Sequence, residues 1–302
     1  MSLDEPVVIT CSISGAIANR EQCPAIPYTP EEYGAEARRI VDEGGVMIHI
    51  HARKPDGTPS YEVEDFAAIT DAIRTEVGDE VIVNFSTGTI GVPVSKRIEY
   101  LAACRPEVAA LNMGSMNYAK YSRSRKVFVF DMVFANPFAE IIELLTAMNE
   151  LGIKPEHECF DIGHVGSLAP LIDMGVLRTP LHVDCVMGVV GGIPPTARNL
   201  AAMVDNIPIV ASGDDKKAHW GVIGISREQW MLVAAALTLG GSIRVGLEDN
   251  LYLPDGRMAS SNGELIAKAR EMTEEIGRRP ATVAEARAML DVPAKPAVGS
   301  AA

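Results

Sequence analysis

Residues 46–53 read V-M-I-H-I-H-A-R, a short apolar run carrying two histidines two positions apart. Side chains of an extended strand alternate between faces, so Val46, Ile48 and Ile50 point one way and Met47, His49 and His51 the other. Two imidazoles on one face, at the carboxyl end of an apolar run, suit a single divalent metal. The same spacing also suits one hydrogen-bonded core histidine beside one surface histidine.

Outward from this strand, strand-like and helix-like stretches alternate along the chain. Residues 7–14 read as a strand that ends at Gly15. The run Thr29-Pro30-Glu31-Glu32 is a helix start, with Thr29 as cap, Pro30 at the first position and Glu32 three residues on. That helix is expected to run to residue 43, where Gly44-Gly45 ends it. Further strands are expected at 81–85, 108–111, 156–160, 181–187, 220–225 and 242–246, and further helices at 61–77, 94–104, 138–151, 166–174, 196–204, 227–239, 261–275 and 282–290. Residues 112–131 read as a long connection, and 206–218 leave room for a strand at 207–211.

Eight strands with interleaved helices in 302 residues predict an α/β chain folded as a (β/α)8 TIM barrel. One barrel domain over 1–302 is expected, with closing helices and a flexible Ala/Pro-rich tail at 293–302. The rival, a doubly wound open sheet, favours G-x-G-x-x-G after the first strand, whereas residues 12–17 read S-I-S-G-A-I.

Composition narrows the function. A net charge of −13 argues against nucleic acid as a partner, and an anionic ligand would need local basic groups. No apolar run reaches a membrane span, and residues 7–13 are too short for a signal peptide. The five cysteines, Cys11, Cys23, Cys104, Cys159 and Cys185, are odd in number and form no C-x-x-C, as expected of reduced thiols in a cytoplasmic protein.

Barrel active sites lie at the carboxyl ends of the strands. Here those ends carry Ser14-Gly15, His49 and His51, Ser86-Thr87-Gly88, Asn112-Met113-Gly114, Glu158 with Asp161, Gly188, Gly224, and Glu248-Asp249. The last strand, G-G-S-I-R-V-G-L-E-D-N at 240–250, places Arg244, Gly246 and Glu248 on one face and Ile243, Val245 and Leu247 on the other. An arginine and a glutamate inside a barrel are costly unless paired or ligated. Glu248 can then be a third metal ligand, leaving positions open for substrate, or the partner of a structural Arg244–Glu248 ion pair. Glu158 near Asp249 would raise that carboxylate's pKa and suit it to general-base work; the plainer reading is a salt bridge from Glu158 to Arg244. His164, His182 and His219 read as structural, with His182 at the wrong end of its strand for catalysis.

The chain resembles the β-keto acid cleavage enzymes over nearly its whole length. The resemblance is carried by I-T-x-x-x-x-G-A at 9–16, I-P-x-T-P-E-E at 26–32, H-I-H-A-R at 49–53, D-G-x-P-S at 56–60, F-S-T-G at 85–88, L-N-M-G-S-M-N at 111–117, P-E-x-E at 155–158 and R-V-G-L-E-D-N at 244–250. It implies a (β/α)8 barrel, a homotetramer, and one zinc ion on His49, His51 and Glu248. It also implies Arg244 as catalytic arginine, Asp249 as general base assisted by Glu158, and Ser86 on the substrate, beside Thr87, Gly88 and Asn112. The implied reaction converts a β-keto acid and acetyl-CoA into acetoacetate and a new acyl-CoA.

Two positions depart from the family's type enzyme. Ile17 stands where that enzyme has a glutamate for the substrate's ammonium group, and Ala110 stands where it has a threonine. An uncharged substrate tail fits Ile17 better. Arg123, Arg125, Lys126, Lys216, Lys217 and Arg227 are candidates for the phosphates of CoA. Two other functions use some of the same residues. An amidohydrolase-type barrel also carries H-x-H, but on its first strand, and His157 and His182 are poorly placed for its remaining ligands. A non-catalytic zinc-containing binding protein would more commonly close its site with cysteine.

Overall fold

In the computed structural model, residues 5–208 and 218–292 are described. Eight parallel strands close a barrel: β1 (Ile9–Ser12), β2 (Met47–Ile50), β3 (Ile82–Ser86), β4 (Val108–Asn112), β5 (Lys154–Cys159), β6 (His182–Met187), β7 (His219–Gly224) and β8 (Ser242–Val245), each bonded to the next and β8 to β1. The helices are α1 (Pro30–Asp42), α2 (Val63–Val77), α3 (Val94–Cys104), α4 (Phe138–Leu151), α5 (Ile162–Gly166), α6 (Leu168–Asp173), α7 (Ala197–Asp205), α8 (Gln229–Leu239), α9 (Asn262–Glu275) and α10 (Val283–Leu290). The (β/α)8 barrel expected from the alternation of elements is the fold, and no described helix is long and apolar enough to cross a membrane.

The apolar phase of each strand faces the helices. Ile48 and Ile50 of β2, Val83 and Phe85 of β3, and Val183 and Cys185 of β6 belong to one buried cluster with the inner faces of α1, α2, α8 and α9. Within it Phe66 stacks on Tyr100 at 4.2 Å and meets Phe85 at 4.7 Å. At the amino-terminal end, Met47, Ile82 and Val108 pack with Ala281, Ala286 and Leu290, so α10 closes the floor. Thr29 and Thr282 form capping boxes with Glu32 and Glu285, holding the starts of α1 and α10.

Three local expectations are corrected. Residues 112–131 do not form a plain connection: Met116–Ser122 and Val127–Phe134 pair as an antiparallel hairpin beside the mouth. The run V-F-V-F-D-M-V-F is β-branched and aromatic enough to make a strand outside the barrel, and Arg123, Arg125 and Lys126 lie exposed at its turn. The helix expected at 166–174 is instead two short helices beginning at Ile162, because Asp161 caps the His164 amide and starts the turn early. Of the first strand expected at 7–14, only Ile9–Ser12 is barrel strand; Pro6–Val7 pairs with Arg279–Pro280. The possible strand at 207–211, Lys216 and Lys217, and the tail at 293–302 fall wholly or largely outside the described residues.

Candidate metal and proton-transfer site

TIM-barrel interiors are usually filled with branched apolar side chains. This lumen is polar instead: Ser12, His49, Asn84, Glu156, Glu158, Asp184 and Arg244 are all buried. Arg244 from β8 sits at the centre. Its Nε donates to Asp249 Oδ2 at 2.9 Å and its guanidinium nitrogens donate to Asp249 Oδ1 (3.1 Å), Glu248 Oε1 (2.9 Å) and, across the barrel, Glu158 Oε1 (3.0 Å). The two alternatives read for Glu248 are therefore not exclusive, since its Oε1 lies between Arg244 and His51 while Oε2 faces His49. Glu158 makes the salt bridge to Arg244 as well.

His51 Nε2 lies 3.4 Å from Glu248 Oε1, and His49 Nε2 lies 3.8 Å from Glu248 Oε2. The candidate ligand atoms of the three residues all fall within 4.8 Å of one another. A tetrahedral zinc with bonds of about 2.0–2.1 Å spaces neighbouring ligands roughly 3.3 Å apart, so the set is of the right size. Glu248 Oε2 is buried without a hydrogen-bond partner, a costly state that a cation would relieve. Burial, then Arg244, holds His49 well below the ordinary histidine range, in the neutral form that ligates metal. The residues fit a divalent ion bound by two imidazoles and one carboxylate.

Asp249, next in the chain to Glu248, is held by Arg244 and Ser12. Ser12 Oγ donates to Asp249 Oδ2 at 2.6 Å, so Oδ2 carries two donors and Oδ1 one. Burial raises Asp249 to about 6, opposed by Arg244 and reinforced by Glu248. Glu158 is pushed up to about 7, chiefly by burial, again with Arg244 opposing. Glu248 goes the other way: His51, Arg244 and His49 overcome its burial and hold it below the usual carboxylate range. Three neighbouring carboxylates thus differ in basicity because they differ in neighbours.

The backbone makes this possible at two glycines. β8 ends at Val245, and Gly246 has φ +150° with no room for a side chain: a Cβ would lie 2.1 Å from the Ser12 carbonyl. The extended register expected for Arg244, Gly246 and Glu248 is corrected accordingly. The chain turns at Gly246, whose carbonyl accepts from the Asp249 and Asn250 amides, and so the adjacent residues Glu248 and Asp249 both face Arg244. Gly15 has φ +61° and a Cβ there would lie 2.6 Å from Glu248 Cγ. Gly15→Ala is expected to cost about 1–2 kcal/mol in backbone strain alone and to displace the carboxylate. Thermal unfolding with and without added metal should show a lower Tm and a smaller metal-induced rise than wild type.

A profile of the beta-keto acid cleavage enzymes matches residues 6–292. The chain belongs to that family. It is similar to 3-keto-5-aminohexanoate cleavage enzyme of Acetoanaerobium sticklandii, with 36% identity over 95% of this chain and 99% of that one. It is also similar to 3,5-dioxohexanoate:acetyl-CoA acetone transferase of Paraburkholderia graminis, with 35% identity over 97% of each. The solved apo structure of ObcA shares the fold, with TM-score 0.73 and 20% identity over 89% of this chain; this chain spans 66% of that one. By family the chain is an acyl-CoA-forming transferase, so the hydrolase and non-catalytic readings are set aside.

Against the family's reaction, the other expected residues fall as follows. Ser86 is buried at the end of β3, with its Oγ accepting from the Gly88 amide at 3.2 Å. Thr87 turns its hydroxyl to the Ala110 carbonyl. Asn112 is buried at the end of β4 beside Gly88. Ile17 is 53% exposed in the loop after β1, and Ala110 is fully buried in β4. Arg227 is exposed just after β7, its guanidinium 5.8 Å from the Tyr252 ring, at the rim of a depression of about 630 Å³ between α8 and α9. That depression lies outside the cluster around Arg244 and shares no residue with it.

Sequence reasoning missed Ser12, Asn84, Glu156, Asp184 and the role of Arg53. The signal for Ser12 was available, since T-C-S-I-S puts Thr10, Ser12 and Ser14 on the face opposite Ile9, Cys11 and Ile13. Arg53, the last residue of H-I-H-A-R, donates to the carbonyls of Ser14, Gly15, Ala18 and Gly57 and so fixes the loop that bears Gly15 and Ile17. No local pattern marks such a residue, because its partners are backbone atoms of a distant loop.

Proposed function

We propose that this enzyme is a zinc-dependent β-keto acid cleavage enzyme that converts a neutral β-keto acid and acetyl-CoA into acetoacetate and a new acyl-CoA. The observation that carries this reading is the Asp249 carboxylate, held by Arg244 and Ser12 directly beside the His49–His51–Glu248 group. Zinc held by those three residues would supply Lewis-acid stabilisation to the charge developing on the substrate's keto oxygen.

Asp249 takes a proton from the carbon between the keto and carboxylate groups, most readily through Oδ1, which carries a single donor. The resulting carbanion attacks the thioester carbonyl of acetyl-CoA, forming a C–C bond and releasing the CoA thiolate. The thiolate adds to the original keto carbonyl, the old C–C bond breaks, and acyl-CoA leaves. Asp249 returns its proton to the acetoacetate carbanion, which balances the cycle. Arg244 keeps Asp249 and Glu158 in register throughout, and Glu158, raised to about 7, can hold a proton near neutral pH. Homotetramer assembly and a cytoplasmic location belong to the same proposal, by resemblance. Purified metal-loaded enzyme, acetyl-CoA and a panel of β-keto acids, scored by acetoacetate release, test it; no release from any of them overturns it.

The substrate's tail is proposed to meet Ile17. A buried ammonium without a carboxylate partner carries a large desolvation cost, whereas an alkyl tail gains roughly 0.8 kcal/mol for each buried methylene. Wild type is expected to prefer 3-oxopentanoate over 3-keto-5-aminohexanoate in kcat/KM, and Ile17→Glu to shift that ratio toward the amino substrate. A wild-type preference for the amino substrate would remove Ile17 from specificity.

A further inference from the structure

Below Arg244 the lumen holds a second ionisable group that the proposed reaction does not use. Glu156 of β5 and His182 and Asp184 of β6 are all buried, with candidate ligand atoms within 4.8 Å of one another. His182 Nε2 lies 3.3 Å from Asp184 Oδ2, and the His182 ring meets His219 edge-on at 5.3 Å. The Asn84 amide donates to Glu156 Oε2. Glu156 Oε1 has no hydrogen-bond partner: Arg244 is 3.9 Å away and already committed to Glu158, Glu248 and Asp249.

An unpartnered oxygen of a fully buried carboxyl, next to a second carboxylate, requires either a cation or a proton. Two observations disfavour a cation. Asp184 Oδ1 lies flush against Gly221, where even a Cβ would sit 2.3 Å away, and the Arg244 guanidinium already brings a positive charge to the other side. Charge balance favours the proton. Four of the five lumen carboxylates, Glu156, Glu158, Glu248 and Asp249, lie within 3.9 Å of one guanidinium, with one proposed divalent ion on the same upper side, and the fifth, Asp184, has the His182 imidazole at 3.3 Å.

We propose that Glu156 is a permanently protonated acid whose Oε1–H donates to Asp184, and that its neutrality leaves Arg244 turned upward onto Glu158 and Asp249. An ionised Glu156 would compete for the guanidinium and draw it down the lumen. Burial, with Asp184 and Glu158 adding, pushes the Glu156 carboxyl well above its ordinary range. Asp184, despite its burial, is held down at about 2, first by His182 at 3.3 Å and then by the neighbouring Glu156. Glu156 is thus a positioning residue, acting on the reaction through Arg244 and, through Asn84, on the strand that neighbours His49.

The test compares E156Q, a neutral isostere, with E156A in the metal-loaded enzyme. E156Q should fold, keep its full metal content and keep kcat and KM within about threefold, because a Gln amide can donate to Asp184 as the acid does. E156A should lose at least about tenfold in kcat, the scale of one lost buried hydrogen bond, with KM little changed. A wild-type-minus-E156Q infrared difference spectrum should contain the C=O stretch of a protonated carboxylic acid. Failure of E156Q to fold, a loss of activity in E156Q equal to that in E156A, absence of the infrared band, or a second metal equivalent that E156Q loses would each overturn the proposal. The kinetic arm rests on the β-keto acid reading; the infrared and metal arms do not, so wild-type enzyme that releases no acetoacetate but shows the band separates the two failures.

Discussion

Replacing His49 and His51 together by Ala is expected to leave a folded, metal-free and inactive protein. Both imidazoles face Glu248, at 3.8 and 3.4 Å, and without them one carboxylate remains of the ligand set. One carboxylate does not hold a zinc ion against water. A Lewis acid at a developing oxyanion contributes several kcal/mol, so kcat/KM should fall about a thousandfold or more. The helix-facing core is untouched, because His49 lies on the polar phase of β2, opposite Ile48 and Ile50, and His51 follows just past the strand's end. Circular dichroism should therefore match wild type while metal analysis reads near zero. Full metal content in the double variant would place the ion elsewhere and dismantle the proposed site.

The second large effect is expected at Asp249. Asp249→Asn retains volume and removes basicity, and turnover should fall about a hundredfold or more, the ordinary scale for a general base. Part of the loss is positional. Arg244 donates to both carboxylate oxygens, and an amide nitrogen in place of one of them breaks one leg of that bidentate pair. Ser12→Ala separates the two contributions: it removes one donor to Oδ2 and leaves the base, so its cost should be that of one charge-assisted hydrogen bond, about 1.5–3 kcal/mol. Metal content should be unchanged in both variants, since neither position supplies a ligand. Near-normal turnover in Asp249→Asn would take Asp249 out of the mechanism.

The barrel was legible because its signals are local. Alternation between strand and helix patterns, the capping box at Thr29–Glu32 and the glycines that end helices act within a few residues, and the elements formed where those signals fell. The hairpin at Met116–Ser122 and Val127–Phe134 escaped because its strands pair chiefly with each other, outside the barrel sheet, and leave exposed aromatic and β-branched residues that suggest burial in a barrel. The candidate metal group was half legible: H-I-H is a strand pattern, and strand periodicity alone puts both imidazoles on one face.

By itself, the sequence determined which side chains would line each strand, because alternation depends only on the backbone of that strand. Only the tertiary structure decided which of them meet. Glu248 and Asp249 are neighbours that a straight strand would send to opposite faces, and the positive φ of Gly246, packed against the Ser12 carbonyl, turns both toward Arg244. Glu158 reaches the same guanidinium from the far wall of the barrel, 86 residues away in the chain. The acid–base properties of the site follow from that closure. A carboxylate's basicity depends on the charges within a few ångströms and on the water excluded, and both were set when β8 closed on β1.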